Sequence, residues 1–431
     1  MDQDVLHQGV FFALQMPVHV ANPYPFYHKL RSKSAFYWDF VSSAWFITRY
    51  DDVRLGLLDS RYTTKNFPFD VSQLSSALRS DLAPLKRVAN KEVLHSNASD
   101  HERLRRPLNR AFQPGAMEQS RPSLTKLAEQ LLADAERSRA MEIVRDYCEP
   151  LADHLFGELL GLPPSHRNKV IRWCDDIRKF TMMPRCGRAT NVRARIAAKS
   201  FRSLQTYFKP VIAQRRKEFV DDVIGRSLAV QGNEFQPSND EVMANCVFFL
   251  HSGVRNMSAC ITNAIYVLLR NPAQFLTLRK DAQLAPTAVE ELLRYDPPLQ
   301  VVSRGVMQKG ELAGREVRRG QLLVFLLGAA NRDPTQFENP DLLDFTRSPN
   351  RHLSFGVGAH GCVGASIARF GLNVALATIL NRGTKLAFCR PGLRWNFPLI
   401  RRELFALPVN VKPRTPYRVR LALPDHARTA I

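Results

Sequence analysis

The residues best suited to chemistry lie in one late run, His352-Leu353-Ser354-Phe355-Gly356-Val357-Gly358-Ala359-His360-Gly361-Cys362-Val363-Gly364. A cysteine set there suits a metal-bound thiolate. Gly356, Gly358 and Gly361 let the backbone fold tightly and approach a flat ligand closely. Bare N–H groups can then point at the sulfur and tune its charge. An apolar helix is predicted from Gly364 to about Leu380, so its positive end follows Cys362 and favours the thiolate. Phe355 can lie against a macrocycle. A thiolate axial to iron pushes electron density onto the metal and favours O–O cleavage. The plain alternative is a glycine-rich turn around an inert cysteine. Three glycines alone do not separate the two, but the joint Phe, Gly, Gly, His, Cys and Gly spacing does.

Two other pairs have the spacing of helix neighbours. Glu291 and Arg294 stand at i, i+3, and His101 and Arg105 at i, i+4, so each pair shares a face. The elements that must carry them read as mostly helical. Ser238 and Glu241 have capping-box spacing, and 238–270 then reads as one long helix, apolar on most faces and therefore buried. Gly253 in its middle costs about 1 kcal/mol relative to alanine, so a local reason is expected. A second helix ends at Arg294-Tyr295, before Asp296-Pro297-Pro298. His101 to about 230 is mostly helical, with breaks at Pro114-Gly115, Pro163-Pro164 and Pro184. Ala44 to Thr48 and Gln321 to Phe325 read as strands, and Asp51 begins a helix. The class is mainly α with small β-sheets (α+β), not an alternating βαβ chain.

The 431 residues, 45% hydrophobic, suffice for a large core. No run reaches the roughly 18 to 20 apolar residues that span a bilayer, and Asp2 and Asp4 precede the short apolar patch Val10 to Leu14, unlike a signal peptide. A soluble, cytoplasmic protein without a transmembrane anchor is expected. Seven cysteines (Cys148, Cys174, Cys186, Cys246, Cys260, Cys362, Cys389) without a C-x-x-C pair argue against a disulfide framework or structural zinc. The net charge of +21 is compatible with anionic partners, yet no nucleic-acid motif accompanies it, so nucleic acid is not expected.

The cysteine segment resembles the haem-binding signature of the cytochrome P450 family, F-x-x-G-x-H/R-x-C-x-G. Glu291-Leu292-Leu293-Arg294 resembles that family's E-x-x-R, and Arg347 the arginine completing the cluster. His101-Glu102-Arg103-Leu104-Arg105 resembles H-x-x-x-R, whose first and fifth residues bind haem propionates, and Arg304 and His360 match two further propionate contacts. Ala329-Ala330-Asn331-Arg332-Asp333-Pro334 and Asn22-Pro23-Tyr24-Pro25 match the bacterial soluble branch. The resemblance covers about 20–415 of a single 1–431 unit. It implies a helical prism around haem b, β-rich subregions at about 20–70 and 298–326, iron bound by Cys362, and contacts from Phe355 and Gly364. It implies a monooxygenase of secondary metabolism, acting on a small organic molecule with electrons from a ferredoxin-type donor. Arg103, Arg105, Arg106 and Arg110 would offer that acidic donor a docking patch. By resemblance alone, Phe249, Ser252, Gly253, Arg255, Asn256 and Val301 contact substrate.

The chain departs from the family at the oxygen-activation motif, A-G-x-(Asp/Glu)-Thr, where it has Ser252-Gly253-Val254-Arg255-Asn256. Arginine does not deprotonate in proteins and cannot do the acid's general-acid work; Asn256 can donate a hydrogen bond or hold a water. Proton delivery is therefore expected to be atypical. The routes left open are water or a substrate group, a substrate carboxylate bound by Arg255 in a peroxide-driven enzyme, or an electron-independent coupling, cyclisation or rearrangement. Arg255 in a plain salt bridge, and a non-catalytic haem protein, are the bland alternatives. Between Thr181 and Lys217 no acid occurs, against ten basic residues: Arg185, Arg188, Arg193, Arg195, Lys199, Arg202, Lys209, Arg215, Arg216 and Lys217. By resemblance this is the substrate lid. It suits an anionic substrate or an acidic carrier protein bearing one, or is a solvated basic face.

Overall fold

The computed structural model describes residues 9–64, 71–96, 98–182, 188–229, 235–389, 393–396 and 400–412. Pro184, Arg185 and Cys186 lie outside the described residues. After two short helical turns comes α1 (Tyr24–Lys33), then the hairpin of β1 (Phe36–Asp39) and β2 (Ala44–Ile47), α2 (Tyr50–Leu58) and β3 (Tyr62–Thr63). The helical stretch comprises α3 (Ser76–Ala89), α4 (Ala98–Ala111), α5 (Arg121–Ser138), β4 (Ala140–Glu142), α6 (Glu149–Leu159), α7 (Pro164–Met182), α8 (Arg188–Lys217) and α9 (Val223–Leu228). It continues as α10 (Asn239–Arg270), α11 (Pro272–Lys280) and α12 (Ala285–Tyr295). Four strands follow: β5 (Val301–Val306), β6 (Gly310–Leu312), β7 (Arg315–Val317) and β8 (Leu322–Leu326). The chain closes with α13 (Ala365–Arg382), β9 (Lys385–Phe388) and β10 (Pro408–Lys412).

Local chemistry explains these boundaries. The Ser238 hydroxyl accepts from the Glu241 N–H while the Glu241 carboxylate accepts from the Ser238 N–H, so α10 begins with a complete capping box. Its residues are buried from Glu241 to Leu268 on nearly every face, as its all-round apolar pattern requires. It packs against α6, α7, α8 and α13. Helices do break at Pro114-Gly115 and Pro163-Pro164, but Pro164 begins α7, and Pro114 begins a short helix, Pro114–Glu118. A proline at the first helical position loses no hydrogen bond.

The principal sheet has the order β1-β2-β8-β5-β3, so the strands read at 44–48 and 321–325 lie side by side, in parallel, with Phe46 opposite Val324. A second sheet, β4-β10-β9, has no counterpart in the sequence reading. Its strands of three to five residues alternate too briefly to be read as a pattern. No helix among the described residues is long and apolar enough to cross a membrane.

Candidate active site

The cysteine loop lies between α12 and α13. The Cys362 N–H donates to the Phe355 carbonyl at 2.7 Å, Gly356 N–H to Leu353 and Gly361 N–H to Gly358, which closes two nested turns. Gly356 and Gly358 have φ of 64° and 78°, the left-handed region that glycine enters freely. Cys362 sits just ahead of the first turn of α13 and is a free, exposed cysteine. Burial pushes its thiol up, opposed by the Gly364 N–H, Arg105 and Arg369. Those three are the groups that favour a thiolate.

The loop is pinned from behind. Asn331 donates to Ser354 Oγ and accepts from the Leu353 N–H, while Ser354 donates to the Leu293 carbonyl on α12. One residue further along α12, Arg294 reaches Glu291 through Nε at 2.7 Å and Nη2 at 2.8 Å, both side chains fully buried. Glu291 also accepts from Arg347 Nε at 3.2 Å, Asn350 and the Asp344 N–H, and Arg294 donates to the carbonyls of Asn331, Pro340 and Leu342. Arg369 stands 4.6 Å over the Phe355 ring and makes a two-point pair with Glu290. That pairing and His352 hold the Glu290 carboxyl down at about 2, against the cost of burial.

Above the loop a cleft of about 680 Å³ is lined by His101, Arg105, Arg304 and His360. The His101 and His360 rings stand 4.2 Å apart. Burial, with His101, Arg304 and Arg105 adding, pushes His360 down to about 3, and burial alone brings Arg304 to about 10. The acids on the same wall are already engaged, Asp59 by Arg61 and Glu102 by Arg106. Among the described residues Arg105 donates to Asn109, and Arg304 to its neighbour's carbonyl. Four cationic or basic groups gathered without a carboxylate of their own are suited to bind anions. Together with a cysteine beside a helix start they fit a haem, whose two propionates would supply the missing charge.

On α10 the residue expectations separate. Gly253 is where α6 crosses: a Cβ there would stand 1.9 Å from Phe156 Cε1. The costly glycine is thus the residue that permits close helix packing. Phe249 is buried, stacked on Phe112 at 4.7 Å and tilted against Phe156 at 4.6 Å, and its place is in the packed core around α10. Val301 is half-buried at the start of β5, and the Ser252 hydroxyl lies 3.2 Å from His251 Nδ1. Asn256 Oδ1 is buried and finds no protein partner among the described residues. Arg255 turns away from this stripe. Its guanidinium pairs with Glu149 on α6 and, at 3.4 Å, with Asp175 on α7. It is a tie between helices, not a free cation for a substrate carboxylate.

That tie leaves one acid uncompensated. Asp153, a turn beyond Glu149, is pushed up to about 6 by burial and by Glu149, with Arg255 only partly opposing. The folded state then holds a proton that the unfolded state, near 3.8, has released. Folding stability therefore falls as pH rises from about 4 to 6 and stays lower above. Asp153→Asn is expected to raise the unfolding free energy at pH 7.5 by on the order of 3 kcal/mol, since each tenfold change in proton affinity is worth about 1.4 kcal/mol. It should change little at pH 4. Urea unfolding at the two pH values checks this, and an equal effect at both would show that the carboxylate is not the source.

The basic residues of α8 also divide. Arg215 pairs with Asp222, and Arg216 donates to Asn239, fastening the helix end. Arg195, Lys199, Arg202 and Lys209 are exposed. On α4, Arg103 is drawn inward to Glu241, so the expected four-arginine patch is not one surface.

A cytochrome P450 family profile matches residues 75–382. The biotin biosynthesis cytochrome P450 of Bacillus subtilis (strain 168) is 33% identical over 393 residues, covering 90% of this chain and 96% of that one. The polyketide biosynthesis cytochrome P450 PksS of the same organism is 29% identical over 374 residues, covering 85% and 89%. Among solved structures, P450BioI in complex with hexadec-9Z-enoic acid ligated acyl carrier protein superposes with a TM-score of 0.81 at 31% identity, covering 92% of this chain and 100% of that one. The chain belongs to the cytochrome P450 family. It has that family's fold, binds haem iron and is an oxidoreductase of the monooxygenase type.

Proposed function

We propose that this protein is a haem-thiolate monooxygenase whose iron is held by Cys362 and whose organic substrate arrives tethered to an acidic carrier protein. When bound, the haem supplies the oxygen chemistry. The chain's own residues position it. Cys362 would give the sulfur, with the Gly364 N–H, Arg105 and Arg369 favouring its charge, Phe355 would pack beside the cofactor, and His101, Arg105, Arg304 and His360 would pair with its carboxylates. Electrons come from a ferredoxin-type donor. Protons do not pass through Arg255, which Glu149 and Asp175 engage.

The carrier reading rests on one observation, the outer face of α8. Val192, Arg195, Ile196 and Lys199 are exposed at i, i+3, i+4 and i+7, and Arg202 continues the line. Two exposed apolar side chains flanked by cations suit a partner helix with acids around an apolar ridge. A relative of the same fold was solved with an acyl carrier protein bearing hexadec-9Z-enoic acid, which supports a long acyl chain as cargo. The test compares binding of fatty-acyl carrier protein and of the free fatty acid to wild type and to the Arg195→Glu, Lys199→Glu, Arg202→Glu variant. Carrier affinity should fall by about tenfold or more, with its salt dependence flattened, and free fatty acid binding should hold. Unchanged carrier affinity would remove the reading.

A further inference from the structure

A second basic cleft lies away from the cysteine loop. It encloses about 510 Å³ between the end of α1, the start of α2 and the β6–β7 hairpin. Lys33, Arg49 and Arg315 line it, one from each of those elements, and Asp52 is the one acid on its wall. It shares no residue with the cleft that holds His101, Arg105, Arg304 and His360. Local geometry brings the three cations together. Lys33 ends α1, where the Ser34 N–H still donates to the Leu30 carbonyl. Arg49 precedes α2 in extended backbone, and the Tyr50 N–H donates to buried Asp333 at 2.8 Å, which fixes the entry into the helix. The hairpin turns at Ala313-Gly314, both left-handed at φ 53° and 71°, so Arg315 follows at once. Alanine enters that region only at a cost, and such positions gather at binding sites.

The cations around this cleft divide into engaged and uncommitted. Lys309 and Arg318 hold Glu316, and Arg31 donates to the carbonyls of Ala329 and Arg332. Lys33, Arg49 and Arg315 make no ion pair and no side-chain hydrogen bond among the described residues. All three are exposed, so a ligand reaches them without opening the fold. Asp52 is near enough to Arg49 to be drawn down by it, yet the two form no ion pair, and burial pushes the carboxyl up. We propose that this cleft binds a phosphorylated small molecule that carries a hydroxyl or amino donor beside its phosphate. Arg49 and Arg315 each offer a planar fork that matches two oxygens of one group, and Lys33 adds a point charge. A phosphate monoester carries about −1.5 to −2 charge at pH 7 and three strong acceptor oxygens, which answers three cations better than one carboxylate does. The ligand's hydroxyl or amine donates to Asp52, the acceptor that the wall supplies. The volume falls in the range of roughly 300 to 1,000 Å³ usual for small-molecule sites, so there is room for an organic part beyond the phosphate. The site is independent of the carrier reading and of the oxygen chemistry.

Titration calorimetry of the haem-loaded protein at ~0.15 M salt tests this. The probes are ribose 5-phosphate, glycerol 3-phosphate and adenosine monophosphate, with inorganic phosphate and adenosine for comparison. At least one of the three esters should bind about tenfold or more tightly than inorganic phosphate, and adenosine, which lacks the charge, should not bind. Arg49→Glu with Arg315→Glu should weaken that ester by about tenfold or more, and Lys33→Glu, on a different element, should act in the same direction. Lys126→Glu with Arg137→Glu makes the same change in net charge at exposed positions of α5 and should leave the affinity within about twofold. Asp52→Ala should narrow the preference for the ester over inorganic phosphate. That preference depends on the acceptor, whereas the overall attraction depends on the cations. The proposal is overturned if no ester binds, if inorganic phosphate binds as well as every ester, if the α5 pair weakens binding as much as the cleft pair, or if Asp52→Ala leaves the preference where it was.

Discussion

Replacing Cys362 with alanine is expected to abolish the band near ~450 nm that the reduced protein shows under carbon monoxide, since that band requires a thiolate on the iron. The effect should be all or none. None of the other described cysteines stands on the glycine loop: Cys148, Cys174, Cys246 and Cys260 are buried within helical segments, and Cys389 follows β9. The substitution is mild for the polypeptide. The backbone bond from residue 362 to the Phe355 carbonyl does not depend on the side chain, and the glycine turns before it remain. Loss of the band with an unchanged circular dichroism spectrum would therefore report on ligation alone. Wild-type protein with a band near ~420 nm would mean a neutral thiol or another ligand, and Cys362 would lose its assigned role.

That residue is legible in the chain because the features around it are local. The cysteine turns, the Ser238–Glu241 cap and the i, i+3 pair on α12 take their geometry from spacing. Arg255 is the opposite case. Its partner Glu149 lies 106 residues away, and nothing in the chain ranks one acid above another as the one that folding brings near. Asn331 and Ser354, which tie the cysteine loop to α12, are polar residues in loops, without period. The carbonyls of Asn331, Pro340 and Leu342 that receive Arg294 are invisible in principle, since any residue type presents a carbonyl there. Phe249 reads as a substrate contact from the chain because the family places that helix over the haem. Its stacking depends on Phe112 and Phe156 from two other segments.

Glu291→Ala should cost about 3 to 5 kcal/mol of unfolding free energy, because it leaves a fully buried guanidinium without its carboxylate. Two further side-chain donors lose their acceptor at once, Arg347 and Asn350, along with the Asp344 N–H. Glu291→Gln keeps the shape and one oxygen acceptor, so it should cost less. The comparison separates lost charge from lost packing, and denaturant unfolding of the two variants beside wild type measures it. The consequence for the site follows from the tie one residue away. Arg294 donates to the Asn331 carbonyl, while the Asn331 side chain holds Leu353 and Ser354 of the cysteine loop. A slackened Arg294 loosens that grip, so Glu291→Ala should also shift the carbon monoxide spectrum from ~450 toward ~420 nm as thiolate ligation weakens. If stability drops while the spectrum holds, the cluster is a fold element only, and the Asn331 bridge does not couple it to the cysteine.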